Sequence, residues 1–353
     1  MQRIKIRTPQ GKSLLIFGGD LNDLPGLLPA GRPFIITDTN VRGFYGERFP
    51  EAEVITIQPG EESKTLSVAG ELCRKLLEAG AGRSSFILGF GGGVVCDLAG
   101  LVASVFMRGV RHGFVSTTLL SQVDASIGGK TGVNIGQWKN MIGTFRQPEF
   151  VLCDHRLLST LSDDEFQSGM GELLKHALIG DRELFYDISR SLEKLYERDP
   201  EVLEEMIFRA VKIKARIVAR DPYEKNLRRV LNFGHTFGHV LETFYSIPHG
   251  TAVTEGMIIA ANLSVWAGEL PGSELHMIEK VFETAGLTSR HELPGNVVSM
   301  ISKDKKGEGS SINFVLLRSA GKAVIRKMPL DEIEAFVNFY REKEPGKLNN
   351  KGR

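Results

Sequence analysis

An α/β first domain with a largely parallel sheet, followed by a mostly α-helical second domain, is the architecture this sequence predicts. Three observations lead there. Short apolar β-type runs alternate with helix-period segments through the first half. A glycine turn, Gly89-Phe-Gly-Gly-Gly-Val-Val-Cys-Asp97, follows the apolar stretch Ser85–Leu88 and opens a small-residue helical stretch, Leu98–Phe106. From Ser162 onward the texture changes to long amphipathic runs.

In chain order, the candidate strands are Ile4–Arg7, Ser13–Phe17, Phe34–Thr37, Val54–Ile57, Phe86–Leu88, Gly113–Ser116 and Phe150–Cys153, with helix-period segments such as Lys64–Ala79 between several of them. Met1–Thr8 alternates Ile with Lys and Arg and reads as a strand, not a secretory segment. The boundary falls near Leu158–Leu161, giving an α/β domain over 1–160 and a helical domain over 161–343. Ser162-Asp-Asp-Glu165 is a capping-box pattern, in which Ser162 and Glu165 satisfy each other's exposed N–H groups. After it come Asp163–Ile179, Arg182–Glu197, Glu201–Arg220 and Val230–Tyr245 as helices, then a hairpin-like pair, Ile312–Arg318 and Ala323–Met328. The polar residues 344–353 predict a frayed tail. No internal repeat is visible.

At 353 residues the chain is long enough for two domains with ample core, and its formal net charge of +1 favours neither nucleic acid nor membrane as a partner. No apolar stretch is long enough to span a bilayer. The three cysteines, Cys73, Cys96 and Cys153, lie far apart without paired or metal-ligand spacing, the usage expected in a reducing cytoplasm. Cys96 beside the glycine turn reads as a small buried filler in preference to a reactive thiol.

Four segments carry chemistry. A strand that breaks into glycines at a helix entrance lets backbone N–H groups approach a phosphate, and the helix N-terminus favours negative charge. The Gly89–Asp97 pattern departs from G-x-G-x-x-G, so it fits either a variant dinucleotide site or a tight turn. In Asn232-Phe-Gly-His-Thr-Phe-Gly-His239, His235 and His239 stand one helical turn apart, and His249 follows in Pro-His-Gly. Imidazoles at i and i+4 can share a metal, and Glu172, in Gly-Met-Gly-Glu-Leu-Leu-Lys-His with Lys175 a turn further on, is the acidic candidate to complete its shell. An isolated H-x-x-x-H is usually a pair of surface histidines, but here three of eight histidines fall within one short glycine-bearing region.

The third segment runs from Met107-Arg108-Gly through Thr117-Thr118, Asp124 and Gly128-Gly-Lys130-Thr to Lys139-Asn140-Met-Ile-Gly. Gly-Gly-Lys-Thr imitates the end of a P-loop, but the leading glycine is absent, which excludes nucleoside triphosphate hydrolysis. Lys130, Lys139 and Asn140 among small and apolar residues suit a bound phosphate better than a solvated lysine loop. Lys214, Arg228 and Asn232 form the fourth set; Lys225 and Arg229 read as solvated charges of a helix face, and the Lys305-Lys306 pair fits either reading.

Together these blocks resemble the 3-dehydroquinate synthases of the sugar-phosphate cyclase superfamily, from about Thr37 to Leu317. The likeness rests on Gly91-Gly-Gly-Val-Val-x-Asp97, Met107-Arg-Gly, Thr117-Thr-Leu-Leu-x-Gln-Val-Asp124, Gly128-Gly-Lys-Thr, Lys139-Asn-Met-Ile-Gly, Glu172-x-x-Lys175 and Asn232-x-Gly-His-Thr-Phe-Gly-His239. The resemblance implies a Rossmann-like NAD-binding domain, a helical metal-binding domain, an active site between them, and a homodimer. It implies zinc, or cobalt, on Glu172, His235 and His249, which turns His239 from metal to substrate. NAD contacts are implied at Asp38, Asn40, Glu61, Lys64, Gly92, Gly93, Val94, Asp97, Thr117, Thr118, Lys139, Thr160, Leu161 and Glu165. The substrate phosphate would meet Lys130, Asn140, one or both of Lys305 and Lys306, and Arg108 of a second copy. Asp124, Lys175, Lys214, Asn232 and His239 would contact the remaining polar groups, with Lys130 among the catalytic set, and Arg228, with Lys214, would pair the carboxylate.

The reaction so implied turns 3-deoxy-D-arabino-heptulosonate 7-phosphate into 3-dehydroquinate and phosphate, in the shikimate route to chorismate and the aromatic amino acids. Transient oxidation by NAD makes a weakly acidic C–H removable, phosphate leaves, the hydride returns, and an aldol step closes the ring. Sibling cyclases, whose sugar phosphates lack a carboxylate, and metal-dependent polyol dehydrogenases on a related scaffold are the alternatives. The sequence departs from the family pattern at Cys96, Ser116, Asn226 and Thr251, none of them an implied metal or charge-bearing position.

Overall fold

The computed structural model describes residues 1–136, 138–288, 291–304 and 311–343. Lys305, Lys306 and the tail from 344 lie outside the described residues. The chain divides into two compact units: Met1–Leu173 together with Glu193–Arg228 form the first, and Leu174–Leu192 with the chain from Arg229 onward the second.

The first unit is built on a seven-stranded sheet of β1 (Gln2–Thr8), β2 (Gly11–Phe17), β3 (Phe34–Asp38), β4 (Glu53–Ile57), β5 (Phe86–Gly91), β6 (Arg111–Ser116) and β9 (Phe150–Cys153), in the order β1-β2-β9-β6-β5-β3-β4. Only β1 runs antiparallel, pairing with β2; the other neighbours are parallel. The central strands are apolar on both faces because the sheet is covered on both sides: Ile35, Leu88, Val115 and Leu152 are buried in one core with Tyr45 and Leu157. Helices α1 (Thr39–Tyr45), α2 (Leu66–Glu78) and α3 (Gly93–Val105) connect the strands. The helix expected over Lys64–Ala79 starts at Leu66, where the Thr65 side chain caps the Val68 N–H. After β3 the chain winds outward to β4 and then returns across the sheet to β5. Strand order therefore reverses between β3 and β5, the type of position where α/β sheets bind ligands at the carboxyl ends of their strands.

A separate two-stranded hairpin, β7 (Lys130–Ile135) and β8 (Trp138–Phe145), stands where the sequence suggested a phosphate-binding loop. It is knitted by the Thr131 and Thr144 hydroxyls, 2.9 Å apart, and lies close on α3, where a Cβ on Gly100 would come within 2.3 Å of Thr131. The long helix α7 (Pro200–Arg220) also belongs to this unit, packing on β1.

The division between units falls inside α4 (Asp163–Gly180). The helix expected over Arg182–Glu197 is two, α5 (Arg182–Arg190) and α6 (Leu192–Tyr196), broken at Ser191, whose N–H reaches back to Asp187 and Ile188. In the second unit α8 (His235–Tyr245) is followed by α9 (His249–Trp266), α10 (Gly272–Thr284), α11 (Val297–Asp304) and α12 (Leu330–Lys343). The expected hairpin is β10 (Ser311–Ser319) with β11 (Lys322–Pro329), fastened to α9 by the Ser264 hydroxyl accepting from the Leu317 N–H. The helix expected from Val230 begins only at His235, because Gly234, at φ +82°, turns the chain left-handed just before it. Among the described residues no helix is long and apolar enough to cross a membrane.

Candidate active site

At the β3–β5 crossover, Asp38 ends β3 and caps α1 by accepting from the Val41 N–H at 2.9 Å, with Asn40 exposed in the first turn. Gly91 ends β5, Gly92 stands at the N-cap position, and Gly93 and Val94 begin α3, whose first N–H groups receive no side-chain cap. The glycines are there for close approach: a Cβ on Gly91 would lie 2.6 Å from Val95, and one on Gly92 2.8 Å from Thr118. Thr117 and Thr118 follow β6 on the same carboxyl edge, the Thr117 N–H held by Gly91 O at 3.0 Å. Asp97, one turn into α3, pairs with the buried Lys64 at 2.6 Å; Lys64 lies 3.8 Å from Glu61, which accepts from Asn134 at 2.8 Å. Thr160 is tied to Tyr45 at the end of α1 by a 2.7 Å hydroxyl contact, and the Glu165 N–H reaches Ser162 Oγ at 3.4 Å, one half of the expected capping box. Most of the residues implied for NAD thus gather along one sheet edge, while Lys139 stands exposed on β8. Cys96 is buried against Gly91 O, and burial pushes its thiol well above the ordinary range, the behaviour of a filler.

In the first unit the carboxylates of Asp124, Asp221 and Glu224 lie near the Arg228 side chain. This side chain is 2 % exposed, and its Nη1 donates to the carbonyls of Gly128 (3.1 Å) and Pro222 (2.8 Å). Its Nε is buried with no partner, and no carboxylate among the described residues comes within ion-pair distance. Burial pulls its pKa down, against the fields of Glu224, Asp124 and Asp221. Gly128, at φ +103°, is required there, because a Cβ would lie 2.7 Å from the guanidinium. Lys214, buried on α7, grips Asp124 through both its carboxylate and its backbone carbonyl, each at 2.7 Å. Lys130, at the start of β7, pairs with Glu224. Asn140, left-handed at φ +54°, donates its N–H to Asn134 at 2.9 Å. Arg108 is exposed at a turn where Met107 and Arg108 both take positive φ.

Glu224 is a residue the sequence reading passed over. Its loop is folded by Asp221, whose carboxylate accepts from the N–H groups of Lys225, Asn226 and Arg228. Glu224 itself sits at φ +57°. The one signal in the sequence was an acidic residue four positions before Arg228, too common to single out.

In the second unit the histidines meet because two helices touch backbone to backbone. A Cβ on Gly256 of α9 would lie 2.1 Å from Gly234 O and 2.6 Å from Gly238 N, so only glycine permits the contact. His235 and His239 each follow one of these glycines, and α9 opens on His249. Ring centroids are 5.6 Å apart for His235–His239 and His235–His249, and 6.2 Å for His239–His249. Packing around His235, with the Lys175 ammonium and the two other histidines, holds its pKa well below the ordinary value, so the ring is neutral, as a metal ligand must be. Glu172 rides on α4, the unbroken helix that also carries Lys175 and His176. One donor atom each from Glu172, His235 and His249 lie within 4.8 Å of one another. Two imidazoles and one carboxylate are the three-ligand composition of a catalytic zinc or cobalt site, so the donor set fits such an ion. The spacing argument alone joined His235 to His239; the donor set joins it to His249. A second group, Asp124, Glu172 and His176, has the same spread.

Comparison with known proteins identifies the family. Residues 54–168 match the family profile described as 3-dehydroquinate synthase N-terminal, and residues 169–307 the one described as 3-dehydroquinate synthase C-terminal. A 3-dehydroquinate synthase of Alkaliphilus metalliredigens is 36% identical over 353 residues, 96% of this chain and 99% of the relative. One from Acidithiobacillus ferrooxidans is 41% identical over 312 residues, covering 84% and 85%. Among solved structures, 2-epi-5-epi-valiolone synthase from Streptomyces hygroscopicus with NAD+ and Zn2+ bound aligns at TM-score 0.84 and 28% identity, over 94% of this chain and 97% of that one. A 2-deoxy-scyllo-inosose synthase complexed with carbaglucose-6-phosphate, NAD+ and Co2+ aligns at TM-score 0.84 and 25% identity, covering 95% and 99%. An iron-containing alcohol dehydrogenase of Thermotoga maritima, at TM-score 0.65 and 17% identity over 93% and 96%, shares the fold alone. This chain belongs to the 3-dehydroquinate synthase family.

Proposed function

We propose that this protein converts 3-deoxy-D-arabino-heptulosonate 7-phosphate to 3-dehydroquinate and inorganic phosphate, with NAD and a zinc or cobalt ion as resident cofactors. Arg228 is the observation that carries the substrate assignment. A guanidinium buried against neutral carbonyls, with one N–H facing nothing, is costly unless an anion arrives to meet it. A substrate carboxylate supplies that anion beyond the phosphate taken by Lys130 and Asn140, and the sugar phosphates of sibling cyclases carry no carboxylate.

Bound NAD would supply a transient hydride acceptor and the metal ion a Lewis acid for the oxidation. Asp38, Asn40, Gly92, Gly93, Val94, Asp97, Thr117, Thr118, Lys139 and Thr160 to Glu165 serve the dinucleotide, with the uncapped N-terminus of α3 turned to its phosphates. The Lys64–Asp97 pair fixes one wall of that site. Glu172, His235 and His249 hold the ion. Lys130 and Asn140 take the substrate phosphate, with Lys305, Lys306 and Arg108 of a second copy; a phosphate arriving at Lys130 displaces Glu224 from it. Asp124, held by Lys214, orients a hydroxyl, while Lys175, Asn232 and His239 bind the remaining oxygens.

A homodimer is supported by Val105, Met107 and Met141, apolar side chains exposed beside Arg108 or on β8. The strained turn at Met107–Arg108 aims outward. Three unpaired cysteines support a cytoplasmic setting. The test is to incubate purified protein with the heptulosonate phosphate, NAD and zinc. Equal amounts of carbocycle and inorganic phosphate with no net NADH are expected. A preference for sedoheptulose 7-phosphate, or net NADH from simple alcohols, would overturn the assignment.

A further inference from the structure

The two imidazoles of the proposed metal site are backed differently. His235 Nδ1 lies 3.3 Å from the carbonyl of Phe233, a neutral acceptor two residues away. His249 Nδ1 lies 3.2 Å from Glu242 Oε2, a carboxylate on the neighbouring helix. Glu242 is 7 % exposed, an unusual place for a charged group without a positional role. Positions 235, 239 and 242 recur at i, i+4 and i+7, so both α8 histidines and Glu242 share one stripe of that helix. The glycine contact of α8 with α9 then brings His249 to the end of this stripe.

We infer that Glu242 is a positioning residue for metal binding, holding the proton of His249 on Nδ1 and presenting Nε2 to the ion. This rests on the metal site proposed above. An acceptor at Nδ1 fixes the tautomer, because the neutral ring carries one proton and the carboxylate takes it as a hydrogen bond. It also fixes the rotation of the ring about its bond to the chain. A carboxylate backing raises the basicity of the nitrogen left free, strengthening the ligand more than a carbonyl does. His249 has greater need of this support. It sits in the first turn of α9, after Pro248, with no side chain capping that helix end, and its side chain is 37% exposed. His235, also half-buried, has its ring held from within its own turn, by the Phe233 carbonyl two residues before it.

The test uses the full-length protein, stripped with chelator and titrated with zinc against a competing chelator. Glu242→Gln is expected to bind zinc 10- to 100-fold more weakly than the unsubstituted protein, the range typical of removing such a partner. Its cobalt form is expected to show displaced d–d bands, while the metal-free variant keeps the far-UV spectrum and NAD affinity of its parent. His235→Ala serves as the control for the site itself. If that control keeps tight stoichiometric zinc, the metal-site reading fails. If it loses zinc while Glu242→Gln binds within twofold of the parent with unchanged cobalt bands, the role of Glu242 alone fails. Should Glu242→Gln not fold, 15N-histidine spectra of the unsubstituted zinc form decide: Nε2 metallation of His249 with a protonated Nδ1 supports the inference, and Nδ1 metallation overturns it.

Discussion

Around Arg228 the chain holds a charge in place with backbone carbonyls and a strained polar loop, whereas on α8 and α9 it holds histidines in place by omitting side chains. The first region depends on charge. Asp221 gathers three N–H groups, Glu224 takes a left-handed backbone, and Gly128 leaves room for the guanidinium. The second depends on volume, with Gly234, Gly238 and Gly256 in backbone contact. The two should therefore fail differently: one through KM and pH with the fold intact, the other through packing and metal content together.

The largest effect is expected from Gly256→Ala. The new Cβ meets backbone and not a flexible side-chain end, so α9 must move off α8, at about 3 kcal/mol or more. A thermal melt should show the loss of stability, and zinc analysis the loss of stoichiometric metal. A variant that melts and binds zinc like its parent would break the comparison at its second half. Arg228→Met comes next and should separate recognition from stability. Exchanging a buried cation for an apolar side chain leaves stability unchanged or raised, while KM for the heptulosonate phosphate rises roughly 100-fold through loss of a buried ionic contact. Steady-state kinetics alongside a melt measure both.

A smaller effect is expected at Asp221. Burial raises its pKa, but the N–H groups of Asn226, Arg228 and Lys225, with the Arg228 charge, outweigh that, leaving it below the ordinary carboxylate value. A carboxyl with a depressed folded pKa contributes fully above its unfolded pKa, near 4, and loses that contribution as pH falls through the folded value. The parent should therefore keep its KM down to about pH 5, whereas Asp221→Asn should show a raised KM at neutral pH. Equal pH profiles would contradict the role of this loop. The smallest effect concerns the thiols. Burial pushes Cys96 and Cys153 up, so iodoacetamide at mildly alkaline pH should leave both unlabelled in mass spectra and turnover unchanged.

What was legible in the sequence follows from how each element is buried. Phe34–Thr37 and Phe86–Leu88 stood out as apolar runs because parallel strands are covered on both faces. The β7–β8 hairpin was not legible. Lys130-Thr-Gly-Val-Asn-Ile shows no clean alternation, and its pairing rests on hydroxyls and on glycines such as Gly143, where a Cβ would strike Thr131 O. α9 escaped for the opposite reason: it is buried nearly all round, which erases the period that betrays an amphipathic helix. In the site, i, i+4 spacing paired His235 with His239, and only the family resemblance chose His249 as the ligand instead, because its place beside His235 depends on a glycine contact between helices that spacing does not show. Glu224 became visible only once the fold had brought β7 to its loop.

The central claim is that Glu172, His235 and His249 share one divalent ion. Anomalous scattering from a crystal of the zinc-loaded protein, recorded at the zinc edge, tests it most directly. A single peak about 2.0–2.2 Å from one oxygen of Glu172 and one nitrogen of each histidine is the expected result. A peak on Asp124, Glu172 and His176 instead, or density that leaves His249 unbound, would contradict it.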